Sequence, residues 1–309
     1  MKKTLLFAAV AAATTLTSLS AQAGRLDDIK SSGTIKVGFR DASLPFSYLD
    51  DNQKPIGYSM DICHGIVDAV GKSVGKKLNV QLVPVTSSTR IPLIANGTVD
   101  IECGSTTNNL ERQKQVSFAP TTFVTANRFV AKKSSNFKTL EDLKGKTVIS
   151  TAGTSNIKWL TEANGGQASY LDGKKVSPLG MNIIPAKDHA EAFLTVENGR
   201  AAAFFMDDVL LAGLVATSRN PKEWMISQQA YSVEPYAVME PKDDPAFKKV
   251  VDDAVVAMIK DGTVEKLYKK WFLSPIPPKN VNLDLPMSPA LKKVLANPTD
   301  SGDPAVYKQ

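Results

Sequence analysis

Apolar positions along the chain recur with two periods, one typical of strands and one typical of helices. Residues 34–40 form a short apolar run that predicts a strand, and residues 58–73 carry an apolar stripe at helical spacing. Further strands are predicted at 78–85, 100–104, 128–131, 147–150, 182–185, 201–206 and 235–239. Further helices are predicted at 90–95, 156–162, 188–198, 208–217, 245–272 with a break at Asp261-Gly262, and 289–295. This alternation predicts an α/β fold of mostly parallel sheets flanked by helices.

The first 23 residues follow a different pattern. Lys2 and Lys3 precede an uncharged, apolar run over residues 4–19, and Ala21-Gln22-Ala23 then places small residues at the spacing read by a signal peptidase. These features predict a secretory signal peptide cleaved after Ala23. A membrane anchor is disfavoured, because the apolar run is shorter than the ~20 residues needed to cross a bilayer. The mature chain is therefore expected to be exported.

Composition narrows the functional classes. The remaining chain exceeds the ~150-residue soft prior for one domain, so one large or two medium domains are expected. The full sequence has a formal charge of +6, but its Lys and Arg residues are scattered among acidic ones, and no basic block points to nucleic acid. Two His and two Cys match no zinc spacing, so neither a metal nor a cofactor is expected. Cys63 and Cys103 could form a disulfide in an oxidising compartment or remain free thiols.

Polar residues concentrate where predicted strands lead into helices, which is where open α/β sheets bind ligands. One such junction is 86–90, where Ser87 or Ser88 is predicted to cap the helix. Arg90 does not suit that place, because a cation in the first turn opposes the helix dipole by ~0.3–1 kcal/mol unless an anion lies there. Similar junctions lie at 103–112, 150–155 and 206–208.

Each of these features also has an ordinary explanation. Ser, Thr and Asp before a helix are commonly caps, and Arg90 or Arg112 could pair with surface acids. Arg40 is harder to explain, since it ends an apolar strand and should be half-buried without an obvious partner, which costs several kcal/mol. Irregularities at several converging junctions predict a functional site.

Motifs in a fixed order carry a family resemblance. Ile94-Ala-Asn-Gly-Thr-Val-Asp-Ile101 is one of them, and the others lie at 34–48, 57–62, 111–113, 143–148, 153–155, 197–200, 261–263 and 265–272. Over residues 25–273 the chain resembles the polar amino acid binding proteins of ABC importers. The stretches 46–48, 90–93, 102–109, 186–189 and 206–208 resemble the glutamate/aspartate-binding branch in particular.

The resemblance implies a two-lobed periplasmic binding protein of type II, with two crossover hinge segments. Lobe one would be residues 24–127 plus 230–309, and lobe two residues 128–229. It further implies a periplasmic monomer that closes on L-glutamate or L-aspartate and serves an inner-membrane ABC permease, without catalysis. The proline-rich tail from Pro275 is expected to have a mobile end, and residues 163–180 read as a polar insertion in lobe two.

The resemblance also assigns binding roles by position. The ligand α-carboxylate would be held by Arg112, Thr107 and Ser155. The α-ammonium would be held by Asp207 and Ser105. The side-chain carboxylate would be held by Arg40, Ser87, Arg90 and His189, with the protonation of His189 rising beside the anion.

Two other classes of function stay open. Some exported proteins of this fold dehydrate small acids, which would require a proton donor facing the ligand. A sensor or adhesin module could use the same lobes without transport. A cysteine hydrolase built on Cys63 and His64 is disfavoured, because adjacent residues of one helix point in different directions.

Overall fold

The computed structural model describes residues 24–308, and the signal peptide expected at residues 1–23 lies outside them. The strands are β1 Thr34–Phe39, β2 Ala42–Ser43, β3 Ser47–Leu49, β4 Pro55–Ile56, β5 Asn79–Pro84, β6 Ile101–Glu102, β7 Val116–Phe118, β8 Phe123–Thr125, β9 Asn127–Lys132, β10 Thr147–Thr151, β11 Asn182–Ala186, β12 Ala203–Asp207, β13 Trp224–Ile226, β14 Glu234–Tyr236 and β15 Met239–Pro241. The α-helices are α1 Arg25–Ser32, α2 Tyr58–Val74, α3 Arg90–Ala95, α4 Ser155–Asn164, α5 His189–Glu197, α6 Asp208–Thr217, α7 Pro245–Lys260, α8 Thr263–Phe272 and α9 Pro289–Ala296.

The first five-stranded sheet has the order β5-β1-β6-β15-β7. β1 pairs in parallel with β5 and β6, whereas β15 runs antiparallel to both β6 and β7. Four strands therefore point one way and only β15 points the other, which confirms the predicted mostly parallel sheet. Helix α2 packs with α7 and α8, while Ile94 of α3 belongs to a separate apolar cluster with Val116 and Met239.

The second five-stranded sheet, β11-β10-β12-β9-β13, is built from residues 127–226. β10 pairs in parallel with β11 and β12, and β9 lies antiparallel between β12 and β13. Helices α4, α5 and α6 pack on this sheet. Again four strands share one direction, so the carboxyl ends of β10, β11 and β12 meet at one edge.

Two crossover strands join the sheets. β8 pairs antiparallel with β14, with Phe123 opposite Tyr236 and Thr125 opposite Glu234. The single strand predicted at 235–239 is wrong, because the chain changes partner within it. Tyr236 pairs with Phe123 of the other crossover strand, whereas Met239 pairs with Glu102 and Phe118 in the first sheet.

The C-terminal tail is packed onto the first sheet's side of the molecule, contrary to the expected mobile end. The side chain of Tyr307 is 1% exposed, and its hydroxyl lies 2.9 Å from Thr121 Oγ1. The reason is that Tyr307 brings a large ring to the end of the chain, and burying it holds the end in place.

Cys63 and Cys103 form a disulfide that ties α2 to the segment directly after β6. Within residues 24–308, no helix has the length and apolar character needed to cross a membrane.

Candidate functional site

The carboxyl ends of strands from both sheets meet around a small, narrow cavity. Seven of the nine predicted site residues line this cavity, namely Ser87, Arg90, Ser105, Thr107, Ser155, His189 and Asp207. Thr154, Asn156, Met206 and Leu210 complete the lining. The other two predicted residues adjoin it: Arg40 contacts Ser87, and Arg112 contacts Thr107.

Arg40 is 3% exposed, so it is buried more deeply than the sequence predicts. Its Nη2 donates to Ser87 Oγ at 2.8 Å, and its main-chain N–H donates to Ser47 Oγ at 2.9 Å. Burial, followed by the charge of Arg90, lowers the pKa of Arg40 to about 10, which still leaves it charged at neutral pH.

The predicted cap of α3 by Ser87 or Ser88 is wrong. The residue before α3 is Thr89, whose side chain caps nothing and instead accepts from the Thr86 N–H at 2.9 Å. Ser87 directs its oxygen to Arg40, so this hydroxyl serves the cluster of guanidiniums and not the helix.

Arg90 begins α3 and is 2% exposed. Its Nη1 donates to Thr106 Oγ1 at 2.6 Å and to the Ser105 carbonyl at 3.2 Å. Thr106 in turn donates to Glu102 Oε2 at 2.5 Å. Arg40 and Arg90 against the buried Glu102 give this end of the cavity a formal charge of +1, which one additional carboxylate would neutralise.

His189 is the first residue of α5 and is 2% exposed. Its Nδ1 lies 2.8 Å from Thr151 Oγ1. Burial, then the charges of Arg40 and Arg90, holds the pKa of His189 well below its usual value, so the ring is neutral. In the tautomer in which Thr151 donates to Nδ1, the remaining ring proton is on Nε2 at the cavity.

Arg112 lies where the two halves of the molecule touch. Its Nη1 donates to the Thr107 carbonyl at 2.8 Å, and its Nη2 donates to the Gly153 carbonyl at 3.3 Å. Burial, then the charge of Arg90, lowers the pKa of Arg112 to about 10. Ser155 Oγ lies beside it, 3.3 Å from Thr107 Oγ1, and donates to Glu234 Oε2 at 2.8 Å.

Asp207 ends β12 and is held by two donors. Asn156 Nδ2 donates to Oδ1 at 2.8 Å, and the Tyr236 hydroxyl donates to Oδ2. Burial, then the negative charge of Glu234, raises the pKa of Asp207 to about 7. This carboxyl can therefore change its charge near neutral pH.

Four polar residues that adjoin the predicted site are not among the predicted site residues, namely Glu102, Asn156, Glu234 and Tyr236. Glu102 lies in the predicted strand 100–104, and a carboxylate in a buried strand is the same signal that singled out Arg40. No local signal marks Tyr236, since its role depends on the crossover that brings it to Asp207.

Several buried polar atoms at this site have no hydrogen-bond partner within residues 24–308. Four of them can donate, namely Arg40 Nη1, Arg90 Nε, Ser105 Oγ and His189 Nε2, and one acceptor, Glu102 Oε1, is also without a partner. Buried polar groups are almost always paired, so a cluster of such donors indicates a ligand that brings acceptor oxygens. Over residues 24–308, no group of His, Cys, Asp and Glu side chains could hold a metal ion.

Comparisons with known proteins agree with this geometry. The L-glutamate/L-aspartate-binding protein of Pseudomonas aeruginosa is 50% identical over 90% of this chain and 89% of that protein. The glutamate/aspartate import solute-binding protein of Escherichia coli K12 is 46% identical over 89% and 88%, respectively. The crystal structure of an ancestral amino acid-binding protein, a precursor of cyclohexadienyl dehydratase, superposes with a TM-score of 0.66 at 29% identity, covering 81% of this chain and 99% of that one.

The same assignment follows from the family profile. Residues 35–274 match the bacterial extracellular solute-binding proteins, family 3, and this span contains both sheets and every residue of the cavity. Because the profile covers most of the chain and relatives at 46–50% identity cover nine-tenths of it, the chain belongs to the bacterial extracellular solute-binding proteins, family 3.

Proposed function

We propose that this chain captures L-glutamate or L-aspartate outside the cytoplasm and delivers it to an ABC permease. The observation that carries the proposal is the set of unpartnered donors of Arg40, Arg90, Ser105 and His189 at one cavity. The Pseudomonas and Escherichia coli relatives, which are named for glutamate and aspartate, support the same ligand class. The predicted signal peptide supports export to the periplasm, where the proposal places the protein as a monomer.

The side-chain carboxylate of the ligand is assigned to the end of the cavity formed by Arg40, Ser87, Arg90 and His189. Two guanidiniums against Glu102 leave the formal charge of +1 that a carboxylate complements. Hydrogen bonds to charged groups contribute ~1.5–3 kcal/mol each. A ligand with a neutral amide in this place should therefore bind less favourably by several kcal/mol. This difference makes the site selective for acidic amino acids.

The α-amino acid group of the ligand is assigned to the other end. Arg112, Thr107 and Ser155 hold the α-carboxylate, and Asp207 with Ser105 holds the α-ammonium. Arg112 and Asp207 form an opposite-charge pair of sites that matches a zwitterion. Because Asp207 has a pKa of about 7, it must be ionised to fulfil this role.

Ligand capture is assigned to closure of two lobes about the β8–β14 crossover, with lobe one at 24–127 plus 230–309 and lobe two at 128–229. The contacts of Arg112 with Gly153 and of Asp207 with Tyr236 join the two halves at the cavity. A ligand that touches both halves favours the closed form by its differential affinity.

The proposal also says that the protein binds its ligand without changing it. This point needs a test, because one structural relative is the precursor of a dehydratase. Asp207 is the acid among the residues that line the cavity, but Asn156 and Tyr236 already hold both of its oxygens. Incubation of the protein with glutamate, followed by mass spectrometry, should return the ligand unchanged. A dehydrated or deaminated product would establish an enzyme instead.

Calorimetric titration of the mature protein with L-glutamate and L-aspartate tests the ligand class, and uptake of radiolabelled glutamate by a deletion strain tests transport. We expect saturable binding of one or both amino acids and reduced uptake without the protein. Binding with unchanged uptake would instead favour a sensor or adhesin role.

A further inference from the structure

The main-chain carbonyl of Asp300, in the C-terminal tail, accepts two side-chain hydrogen bonds from residues that are distant from it in sequence. Asn108 Nδ2 and Gln113 Nε2 both donate to it at 2.8 Å. Gln113 Nε2 also donates to Asn108 Oδ1 at 2.8 Å, which closes a triangle. The segment 107–113, called here the ligand loop, is thus fixed to the tail at two points.

The two fixed residues are the chain neighbours of the two proposed ligand contacts in the loop. Asn108 follows Thr107, and Gln113 follows Arg112. Within the loop, Asn109 Oδ1 accepts the Arg112 N–H at 2.9 Å, and the Thr107 carbonyl accepts from Arg112 Nη1 at 2.8 Å. A shift of either anchor would therefore move the Arg112 guanidinium or the Thr107 hydroxyl.

Gly302 brings the tail into direct contact with the ligand loop. A Cβ at this position would lie 2.7 Å from the Asn109 carbonyl carbon and 2.8 Å from the Leu110 nitrogen. These are main-chain atoms, so any larger residue must displace the loop or the tail. Only glycine permits the close approach, and the tail also lines the groove that opens at Arg112 and Ser155.

The tail is itself anchored on the side away from the ligand loop. Lys248 Nζ lies 3.0 Å from the Asp300 carboxylate and 3.6 Å from the wholly buried Glu240 carboxylate. The Thr121 N–H donates to the Thr299 carbonyl at 2.8 Å, and the buried Tyr307 donates to the Ser301 carbonyl at 2.6 Å. Residues 299–302 are thus held between a rigid base and the ligand loop.

We propose that residues 299–302, the tail strap, position Thr107 and Arg112 for the ligand α-carboxylate. The strap touches no cavity-lining residue of the side-chain end, so it sets affinity and not the choice between glutamate and aspartate. It lies outside residues 35–274, the part of the chain that matches the family profile. The proposal rests on the proposed ligand class.

The test compares Gly302→Ala with Gly165→Ala, a glycine whose added Cβ would meet nothing closer than 3.8 Å. Gly302→Ala should weaken calorimetric affinity for glutamate and aspartate alike, by about tenfold or more, since one misplaced charge-assisted bond has that effect. Gly165→Ala should bind as the unmodified protein does. The ratio of the two affinities should stay constant in both variants.

A second readout separates positioning from a general loss of structure. In an Arg112→Lys background, Gly302→Ala should cause less than its full loss of affinity, because the group that it misplaces is already impaired. Full additivity of the two losses, or unchanged affinity in Gly302→Ala, would overturn the strap's role.

If Gly302→Ala does not fold, Gln113→Ala provides the test in its place, since it removes one anchor of the loop without introducing a clash. It should weaken both ligands by about three- to tenfold. Unchanged affinity in this variant would likewise overturn the proposal. Absence of glutamate and aspartate binding in the unmodified protein would instead refute the proposed function.

Discussion

The Tyr236 hydroxyl, on the crossover strand β14, donates a hydrogen bond to the carboxylate of Asp207 at the end of β12. The bond joins the hinge directly to the proposed ammonium site. Both side chains are 2% exposed, so little solvent screens the interaction. Asp207 therefore links the position of the second sheet to the charge state of the cavity.

The pKa of Asp207, raised to about 7, predicts that ligand affinity depends on pH. Below pH 7 the carboxyl is protonated in the free protein and must lose its proton to pair with the ammonium. Affinity should thus fall as pH falls, approaching about tenfold per pH unit, with release of a proton on binding. Calorimetry in buffers of different ionisation enthalpy measures both effects.

Asp207→Asn is the matched control, because an amide has nearly the same shape and does not titrate. It should bind more weakly above pH 7, where Asp207 is ionised, and show a flat profile around neutrality. A profile that stays as steep in this variant would assign the pH dependence to another group.

Charge at the side-chain end predicts the outcome of two substitutions. Arg40→Asp and Arg90→Ala should abolish glutamate binding while the fold persists, because the end would lose its formal positive charge. Arg219→Ala, at an exposed position, is the control and should bind normally. Thermal melts followed by circular dichroism check the fold, and unaltered affinity in either cavity variant would contradict the assignment.

Gly153 lets the two halves approach closely because it has no side chain. Its φ is +74°, and a Cβ there would lie 2.6 Å from Ser88 Cα and 2.7 Å from the Ser87 carbonyl oxygen. Gly153→Ala should hinder closure and speed ligand release. Gly173→Ala is the matched control, since Gly173 has a φ of +85° but open space around it. This variant should lose only the stability that the backbone strain of alanine at positive φ removes.

Stopped-flow fluorescence with ligand and small-angle scattering of the liganded protein measure these effects. We expect faster dissociation and a larger radius of gyration for Gly153→Ala alone. Equal behaviour of the two glycine variants would show that strain, and not the contact with Ser87 and Ser88, determines the result.

The disulfide between Cys63 and Cys103 closes a loop with a sequence separation of 40 residues. Chain-entropy reasoning predicts that its loss lowers the free energy of unfolding by about 4 kcal/mol. Urea denaturation of the double Cys→Ala variant, compared with the oxidised protein, tests this value. A reductant should destabilise the native protein and leave the variant unchanged.

Much of the fold could be predicted from the sequence because its helices carry strong local signals. The bounds of α3 and α6 agree with the prediction to the residue, since the Asn96-Gly97 stop and the Asp207-Asp208 start are local features. The division of 235–239 into β14 and β15 could not be predicted, because both halves are equally apolar. Their partners lie more than 100 residues away in the chain.

The site could be predicted to the extent that its residues break local rules. Arg40 and Arg90 are conspicuous because a strand end and a helix start are unfavourable places for a buried cation. Glu102 balances them through Thr106, and that relay depends on a tertiary arrangement that no spacing reveals. The cap role predicted for Ser87 is wrong for the same reason, since its partner Arg40 is 47 residues away.

Comparative titration with L-glutamate and L-glutamine at neutral pH tests the central claim most directly, since the two ligands differ chiefly in the charge at the side-chain end. We predict that glutamate binds at least about a hundredfold more tightly, as loss of one or two charge-assisted bonds requires. Equal or tighter binding of glutamine would contradict a site built for a second carboxylate.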